Sequence, residues 1–85
     1  MTHTVKTWSD FYIDQQKGIK LFELRKNDRD YKVGDIFISQ EYDHINKKYT
    51  GSESVFTIEY ILLSSPMMGL KNGYCILQLK PFNNY

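Results

Sequence analysis

The sequence predicts a small, mainly β domain of the α+β class: a β-barrel of about five strands with one N-terminal helix that flanks the barrel mouth. Three observations support this prediction. The chain contains seven tyrosines and five phenylalanines, and aromatic side chains pack well on pleated sheets. Five segments read as strands from alternating or apolar runs. One segment between the first two strands is bracketed by residues that start and end helices. Short antiparallel strands joined by hairpins usually close into a barrel, which removes their edges.

The length of 85 residues corresponds to one domain with one modest core, and we assign residues 1–85 to it. The sequence shows no repeat, linker or low-complexity segment. No apolar run approaches the length of a membrane span, and the N-terminus lacks a charged-then-apolar signal pattern. We therefore expect a cytoplasmic protein with no membrane partner.

The first strand is expected over residues 2–8, and a short helix follows it. Ser9 is a suitable N-cap, because its hydroxyl can accept a hydrogen bond from a free backbone N–H of the first turn. Asp10 adds a favourable negative charge at that end. The helix should end near Lys17, with Gly18 in the left-handed conformation that ends many helices. Its apolar face is thin, so we expect the helix to depend on docking against the sheet.

Four further strands are expected after the helix, at residues 21–25, 36–42, 53–63 and 74–80. A hairpin loop over residues 43–51 should connect the third strand to the fourth. Ser64-Ser65-Pro66 should end the fourth strand, and a loop with two glycines over residues 67–73 should lead to the last one.

Alternation within the strands predicts which side chains share a face. The fourth strand has an apolar face at its even positions: Phe56, Ile58, Tyr60 and Leu62. The last strand should point three residues inward: Cys75, Leu77 and Leu79. In the second strand, alternation places Phe22 and Leu24 on one face, and the opposite face carries Leu21, Glu23 and Arg25.

The net charge of +1 argues against a protein that binds duplex DNA through a strongly basic surface. The charge is nevertheless concentrated, since six of the eleven basic residues lie between positions 17 and 35: Lys17, Lys20, Arg25, Lys26, Arg29 and Lys32. Four acidic residues share this window. A solvated loop and a ligand-binding region both explain such a cluster.

Cys75 is the one cysteine in the sequence, so the chain cannot form an intramolecular disulfide. No second cysteine and no cluster of cysteine and histidine predicts a zinc site. Cys75 lies in an apolar run, where a buried and unreactive thiol is expected rather than a catalytic one. We therefore expect no metal and no cofactor.

The segment 18–25 fits the pattern G-x-K-x-x-E-x-R, with Gly18, Lys20, Glu23 and Arg25 at the defined positions. This segment resembles the ASCH domain, a PUA-like β-barrel, and most closely a small bacterial and phage ASCH-like group of unknown function. Further segments similar to that group follow in order at residues 3–6, 25–31, 33–36, 41–43, 49–51, 60–62 and 73–74. The resemblance thus extends over almost the whole chain.

The resemblance implies an RNA-binding barrel with a cleft between helix and barrel mouth, lined by the charged motif. Some ASCH-like bacterial proteins are amidohydrolases that act on acetylated cytidine with a Lys, a Thr and a Glu. Lys20 corresponds to that Lys, but Glu23 stands where those enzymes have the Thr, and the later Glu has no secure counterpart. This departure argues against the hydrolase activity.

The chemistry of the motif residues suggests specific roles in binding. Lys20 can hold a phosphate or carboxylate as a point charge. Arg25 offers a planar fork to a phosphate or a base edge, and Glu23 can accept from a base amino group. Because Glu23 and Arg25 are two residues apart on one strand, a plain ion pair also explains them.

Four other residues complete the expected ligand site: His3, Lys6, Asn27 and Tyr42. His3 and Lys6 would reach the site from the first strand, although an odd and an even position lie on opposite faces of a regular strand. Alternatively, His3 belongs to a frayed terminus and has no role in binding. Asn27 also suits a turn, and Tyr42 suits either base stacking or core packing. Trp8 precedes the expected N-cap, where a hydrophobic staple is the more natural role than stacking.

These features leave three functions open. The first is a binding module for RNA or a nucleotide, which the local concentration of charge favours. The second is a small hydrolase acting on a modified nucleoside, with Lys20 as the base and Glu23 as its partner. The third is a structural interaction domain without a small ligand.

Overall fold

The computed structural model describes residues 1–65, 67 and 69–82. Its elements, in chain order, are β1 (Thr2–Trp8), α1 (Ser9–Gln16), β2 (Phe22–Lys26), β3 (Ile36–Asp43), β4 (Lys48–Leu63) and β5 (Tyr74–Pro81). The predicted fold class, a mainly β domain with five strands and one N-terminal helix, is confirmed. Two residues of the segment expected to separate the last two strands, Pro66 and Met68, lie outside the described residues.

The five strands form one curled sheet in the order β1-β3-β4-β5-β2. β1 pairs with β3 in parallel, and every other neighbouring pair is antiparallel. The sheet curls into a half-barrel, so the two edge strands, β1 and β2, face each other across a gap that we call the seam. Within the described residues, no helix is long and apolar enough to cross a membrane.

Side chains bridge the seam. Arg25 Nη2, on β2, donates to the carbonyl oxygen of Lys6 on β1 at 3.0 Å. Arg29 Nη1 donates to the carbonyl oxygen of Thr4 at 2.8 Å. The half-barrel is therefore closed by two arginines, which satisfy carbonyl groups that an edge strand leaves free.

The core fills the concave side of the sheet. Its buried members are Val5, Tyr31, Phe37, Phe56, Ile58, Cys75, Leu77 and Leu79. The prediction that Cys75, Leu77 and Leu79 point inward is confirmed, since none of the three is more than 1% exposed. Burying a side chain of the size of leucine contributes roughly 1.5–3 kcal/mol, so this cluster is the main stabilising feature of a small domain.

The alternation of β4 changes phase in the middle of the strand. Phe56 and Ile58 are buried as predicted, but Tyr60 is 57% exposed, so the prediction for Tyr60 is wrong. The register of the pairing with β5 shifts by one residue between Ile58 and Tyr60, and Glu59 is the extra residue of the resulting β-bulge. After this bulge the odd position Ile61 packs against the core instead.

The hairpin between β3 and β4 is tighter than predicted, because β4 already begins at Lys48. The Asp43 carboxylate organises the turn: its Oδ1 accepts the backbone N–H groups of Ile45 and Asn46 at 3.0 and 3.1 Å. The predicted loop is wrong because these local bonds close the turn early. Gly51, expected at the end of that loop, lies within β4 with a φ of 94°.

The helix α1 follows β1 without an intervening loop. Trp8 occupies the N-cap position, and no side chain caps the first turn, so the predicted cap at Ser9 is wrong. Because the strand runs directly into the helix, Ser9 is already helical, and its hydroxyl donates to the carbonyl oxygen of Tyr42 at 3.4 Å. This bond attaches the start of α1 to β3.

The end of α1 is as predicted. Gly18 has a φ of +73°, and its N–H donates to the carbonyl oxygen of Gln15 at 3.1 Å. The N–H of Ile19 donates to the carbonyl oxygen of Asp14 at 3.0 Å, which completes a Schellman motif. The motif turns the chain sharply and places Lys20 two residues before the start of β2.

Replacing Gly18 by Ala should lower the free energy of unfolding by about 1–2 kcal/mol, because a Cβ disfavours the left-handed backbone. No atom lies within 4 Å of the position that the new Cβ would take, so the cost is that of the backbone alone. Urea denaturation measures the change, with Ser52→Ala at an exposed position as the control. Equal midpoints for both variants would contradict the assigned role of Gly18.

Candidate functional site

A cleft of about 400 Å³ lies at the seam, beside α1. Its lining residues are Lys6, Thr7 and Trp8 of β1, Phe11 of α1, Lys20, and Phe22, Glu23, Leu24 and Arg25 of β2. The volume is within the range of small-molecule sites. The structure thus brings together in one cleft the three charged residues of the motif, Lys20, Glu23 and Arg25.

The carboxylate of Glu23 is the centre of this site, and only 5% of the residue is exposed. Its Oε1 accepts hydrogen bonds from Lys20 Nζ and from Gln15 Nε2, both at 2.7 Å. Its Oε2 accepts from Arg25 Nε at 3.1 Å. We call these four residues the Glu23 cluster. Charge-assisted bonds of this kind compensate for the removal of a carboxylate from water.

The local fold explains how these side chains meet. In β2, Glu23 points to the interior, whereas Phe22 and Leu24 are 51% and 57% exposed. The predicted separation of the two faces is present, and the polar face is the one that turns inward. Gln15 lies on the buried side of α1 and reaches Glu23 from there. Gln15 was not predicted as a site residue, because a glutamine on a short helix normally faces solvent.

Exposed aromatic rings form the rim of the cleft. Trp8, Phe11 and Phe22 all line it, and each is about half exposed. One side of the indole of Trp8 stacks on His44, with ring centroids 4.1 Å apart and planes 10° from parallel. Lys20 Nζ lies 5.4 and 5.1 Å from the ring centroids of Phe11 and Phe22. Neither Phe11 nor Phe22 was predicted from the sequence as a site residue.

Backbone groups of both edge strands face the seam. The carbonyl oxygen of Leu21 accepts from the N–H of Leu79 on β5, and the N–H of Asn27 donates to Gly73, directly before β5. The backbone groups of the even positions of β2 therefore point away from β5, towards the seam. The carbonyl oxygen of Phe22 accepts from Lys20 Nζ at 2.9 Å, and that of Lys6 accepts from Arg25. Lys20 and Arg25 therefore bind backbone carbonyl oxygens of the edge strands as well as the carboxylate of Glu23.

Three buried side-chain oxygens lack a hydrogen-bond partner within the part of the chain that the structure describes: Thr7 Oγ1, Gln15 Oε1 and Ser39 Oγ. Thr7 lines the cleft, and only 4% of the residue is exposed. Ser39 is completely buried and is not part of the lining. Thr7 was not predicted, because an isolated threonine in a strand carries no sequence signal.

The structure does not bring His3 to the cleft. The residue is 4% exposed, its Nε2 lies 2.7 Å from Asp35 Oδ2, and its ring packs 4.6 Å from that of Tyr31. His3 is buried and Lys6 exposed on the same strand, as their difference in parity requires. His3 therefore has a structural contact where a ligand contact was predicted.

The remaining predicted residues divide between the cleft and its surroundings. Lys6 lines the cleft, and its Nζ lies 4.2 Å from the ring centroid of Tyr42. Tyr42 packs edge-on against Tyr49 at 5.1 Å and adjoins the cleft through Lys6. Asn27 is exposed beyond the end of β2, where its backbone N–H donates to the carbonyl oxygen of Gly73 at 2.8 Å. Asn27 is not among the lining residues.

The electrostatic environment alters several pKa values outside the cleft. The hydrogen bond with His3 is the main reason why the pKa of Asp35 falls from 3.8 to about 2. A bond from the backbone N–H of Lys32 to Oδ2, at 3.0 Å, acts in the same direction. Burial raises the pKa of the Cys75 thiol and that of the Tyr31 hydroxyl. The thiolate of Cys75 is therefore disfavoured, as expected for a buried cysteine.

The described residues contain no group of three or more His, Cys, Asp or Glu side chains placed to hold a metal ion.

The fold and the cleft together define a small, mainly β half-barrel domain with a charged cleft at its seam. Residues 2–79 match the family described as a domain of unknown function, DUF3850, and the chain belongs to this family. Among curated proteins, none matches the sequence.

Replacing Glu23 by Ala should lower the free energy of unfolding by roughly 2–3 kcal/mol, because it leaves Lys20, Arg25 and Gln15 without their shared acceptor. Thermal or urea denaturation measures the effect. Glu53→Ala serves as the matched control, since Glu53 is exposed and accepts one long bond from Gln40 at 3.4 Å. A loss no greater than that of the control would show that the cluster contributes little to stability.

The pKa of Asp35 predicts a loss of stability in acid. The folded pKa of Asp35, about 2, lies below the ordinary value of 3.8. The ionised carboxylate therefore stabilises the folded state above the ordinary pKa, and this contribution is lost as the pH falls through the folded pKa. Asp35→Asn should flatten the dependence of the unfolding free energy on pH in this window. Denaturation series at several pH values measure the slope, and Asp10→Asn at an exposed position is the control. An unchanged slope for Asp35→Asn would refute the assignment.

Proposed function

We propose that this chain binds RNA or a nucleotide and that the cleft at the seam is its ligand site. One observation carries the proposal: three cationic side chains, one buried carboxylate and three half-exposed aromatic rings line one cleft of about 400 Å³. This combination suits a ligand that has both a flat ring and a negative charge.

The charge of the lining favours an anion. Lys6, Lys20 and Arg25 contribute three positive charges, and Glu23 contributes one negative charge, which leaves an excess of two. The guanidinium of Arg25 has five N–H donors. Two of its nitrogens bond within the protein, Nε to Glu23 and Nη2 to Lys6. The other donors are available to a ligand.

The rim supports the binding of a base. Stacking of a base on an aromatic side chain contributes roughly 1–3 kcal/mol and does not depend on base identity. Trp8, Phe11 and Phe22 are each about half exposed around the opening. Rings at an opening that also carries cations are the arrangement used by proteins that bind single-stranded nucleic acids.

Hydrolysis of a modified nucleoside has less support. Lys20 Nζ donates to Glu23 Oε1 and to the carbonyl oxygen of Phe22, and an ammonium held by two acceptors is a poor general base. Thr7 lines the cleft, but its hydroxyl oxygen is buried, and within the described residues that oxygen has no partner that would take the proton. A binding role therefore fits the cleft better than a catalytic one.

A relationship to ASCH domains, within the PUA-like superfamily, is part of the same proposal. It is supported by the half-barrel with an N-terminal helix and by the convergence of Lys20, Glu23 and Arg25 in one cleft. RNA or nucleotide binding is the role that this relationship implies. A cytoplasmic protein is the corresponding expectation for location.

Titration with short single-stranded RNAs and free nucleotides tests the proposal. Trp8 is the only tryptophan of the chain and lines the cleft, so its fluorescence should change on binding. We expect weak binding with a shallow salt dependence, since two or three phosphate contacts give a slope of about −1.4 to −2.1. Arg25→Ala should weaken binding much more than Lys47→Ala, because Lys47 lies in the turn between β3 and β4.

The size of the Arg25 effect distinguishes two modes of contact. If Arg25 reads a base edge, its loss should cost roughly 1–3 kcal/mol and relax any base preference. If it holds only a phosphate, all sequences should weaken alike. Because Arg25 also bridges the seam, Arg25→Lys accompanies Arg25→Ala, and circular dichroism verifies the fold of both variants. No binding at low salt, or equal losses for the Arg25 and Lys47 variants, would favour a structural module instead.

A further inference from the structure

We infer that a nucleotide enters this cleft base first, with its base against Thr7 and Glu23 at the floor and its phosphate at the rim against Lys6. The inference rests on the proposed function and deepens it by assigning an orientation and a residue to each part of the ligand.

The floor of the cleft disfavours a phosphate. Lys20 and Arg25 both bind the carboxylate of Glu23, at 2.7 and 3.1 Å, so their charges are already partly compensated. A phosphate placed beside them would also face that carboxylate, and like charges repel strongly where water is largely excluded. A phosphate has no N–H group to offer the carboxylate.

The floor does offer complementary groups to a base edge. A carboxylate accepts about four hydrogen bonds, and Glu23 uses three, two on Oε1 and one on Oε2. The remaining position on Oε2 can accept an N–H group of a base. Thr7 Oγ1 has no partner among the described residues, and a hydroxyl can donate to a ring nitrogen or a carbonyl oxygen.

The burial of Thr7 supports the placement of the base at the floor of the cleft. A hydroxyl that is buried without a partner destabilises the folded protein, and a ligand atom that pairs with it removes that cost. Ser39 Oγ likewise has no partner among the described residues but does not line the cleft, so Ser39 can serve as the matched control. The difference between the two residues is that Thr7 lines the cleft and Ser39 does not.

Lys6 is suited to the phosphate. It is exposed on β1, and the salt bridges of the described residues give it no acidic partner. Its Nζ lies over the ring of Tyr42, which orients the ammonium without neutralising its charge. Trp8 is on the same outward face of β1 as Lys6, and both line the cleft. In the proposed orientation the base passes the indole on its way to Thr7, and the sugar and phosphate remain near Lys6.

Isothermal titration calorimetry with the intact chain tests the orientation. The probes are the four common ribonucleosides, their 5′-monophosphates and ribose 5-phosphate. We expect at least one nucleoside to bind, its monophosphate to bind more tightly, and ribose 5-phosphate to give no signal. Lys6→Met should bring the affinity for the monophosphate down to that for the nucleoside.

Thr7→Val and Thr7→Ser test the floor. Thr7→Val replaces the hydroxyl by a methyl group of similar size, so the fold should be retained, and loss of one hydrogen bond should weaken nucleoside and nucleotide alike by about tenfold. Thr7→Ser should restore binding, and Ser39→Ala should leave it as in the wild type. The stability of each variant is measured in parallel.

Two results would overturn the orientation alone. Ribose 5-phosphate that binds as tightly as the nucleotides would place the phosphate at the floor, and a Thr7→Val variant with unaltered affinity would remove the base from it. In both cases the proposed function would stand. If none of the three kinds of probe binds and short RNAs also fail, the proposed function itself is wrong, and the orientation with it.

Discussion

The buried carboxylate of Glu23 is the interaction on which the rest of this structure depends. It binds α1 through Gln15, the turn between the helix and β2 through Lys20, and its own strand β2 through Arg25. Arg25 extends the connection to β1, because its second nitrogen binds the carbonyl oxygen of Lys6. One acidic side chain thereby links the helix to both edge strands of the sheet.

This arrangement explains why the domain has a cleft at all. A sheet of five strands closes fully when its two edge strands pair, and here β1 and β2 remain unpaired. Arginine side chains are longer than a backbone hydrogen bond, so the seam that Arg25 and Arg29 bridge is wider than the distance between paired strands. The extra width is the space in which the cleft lies, and polar groups line it because the strand edges leave their backbone groups free.

Much of this fold could be predicted from the sequence. Strand β1, the end of α1 at Gly18 and the inward face of β5 follow from alternation and from one glycine, since each depends on neighbouring residues. The failures have a common physical cause in contacts between distant segments. The bulge at Glu59 depends on the register with β5, and the displaced cap at Ser9 depends on the direct passage from strand to helix.

The candidate site shows the same division. The spacing of Lys20, Glu23 and Arg25 indicated a cluster of charge, and the structure brings the three together. Sequence alone did not show that Gln15 and Thr7 would join them, because each comes from a different element and carries no local signal. It also could not place His3, whose burial depends on Asp35, 32 residues away.

The same side chains that close the half-barrel line its cleft, and this overlap limits which ligands the domain tolerates. A ligand that drew Arg25 away from the carbonyl oxygen of Lys6, or Lys20 away from Glu23, would remove contacts that hold β1, β2 and α1 together. Such a ligand must replace every bond that it breaks. A ligand that pairs instead with the Thr7 hydroxyl, which has no partner within the described part of the chain, and with the open position on Glu23 Oε2 adds bonds and breaks none. The stability of the fold therefore favours the second kind of ligand, a neutral flat ring at the floor with its charge held outside.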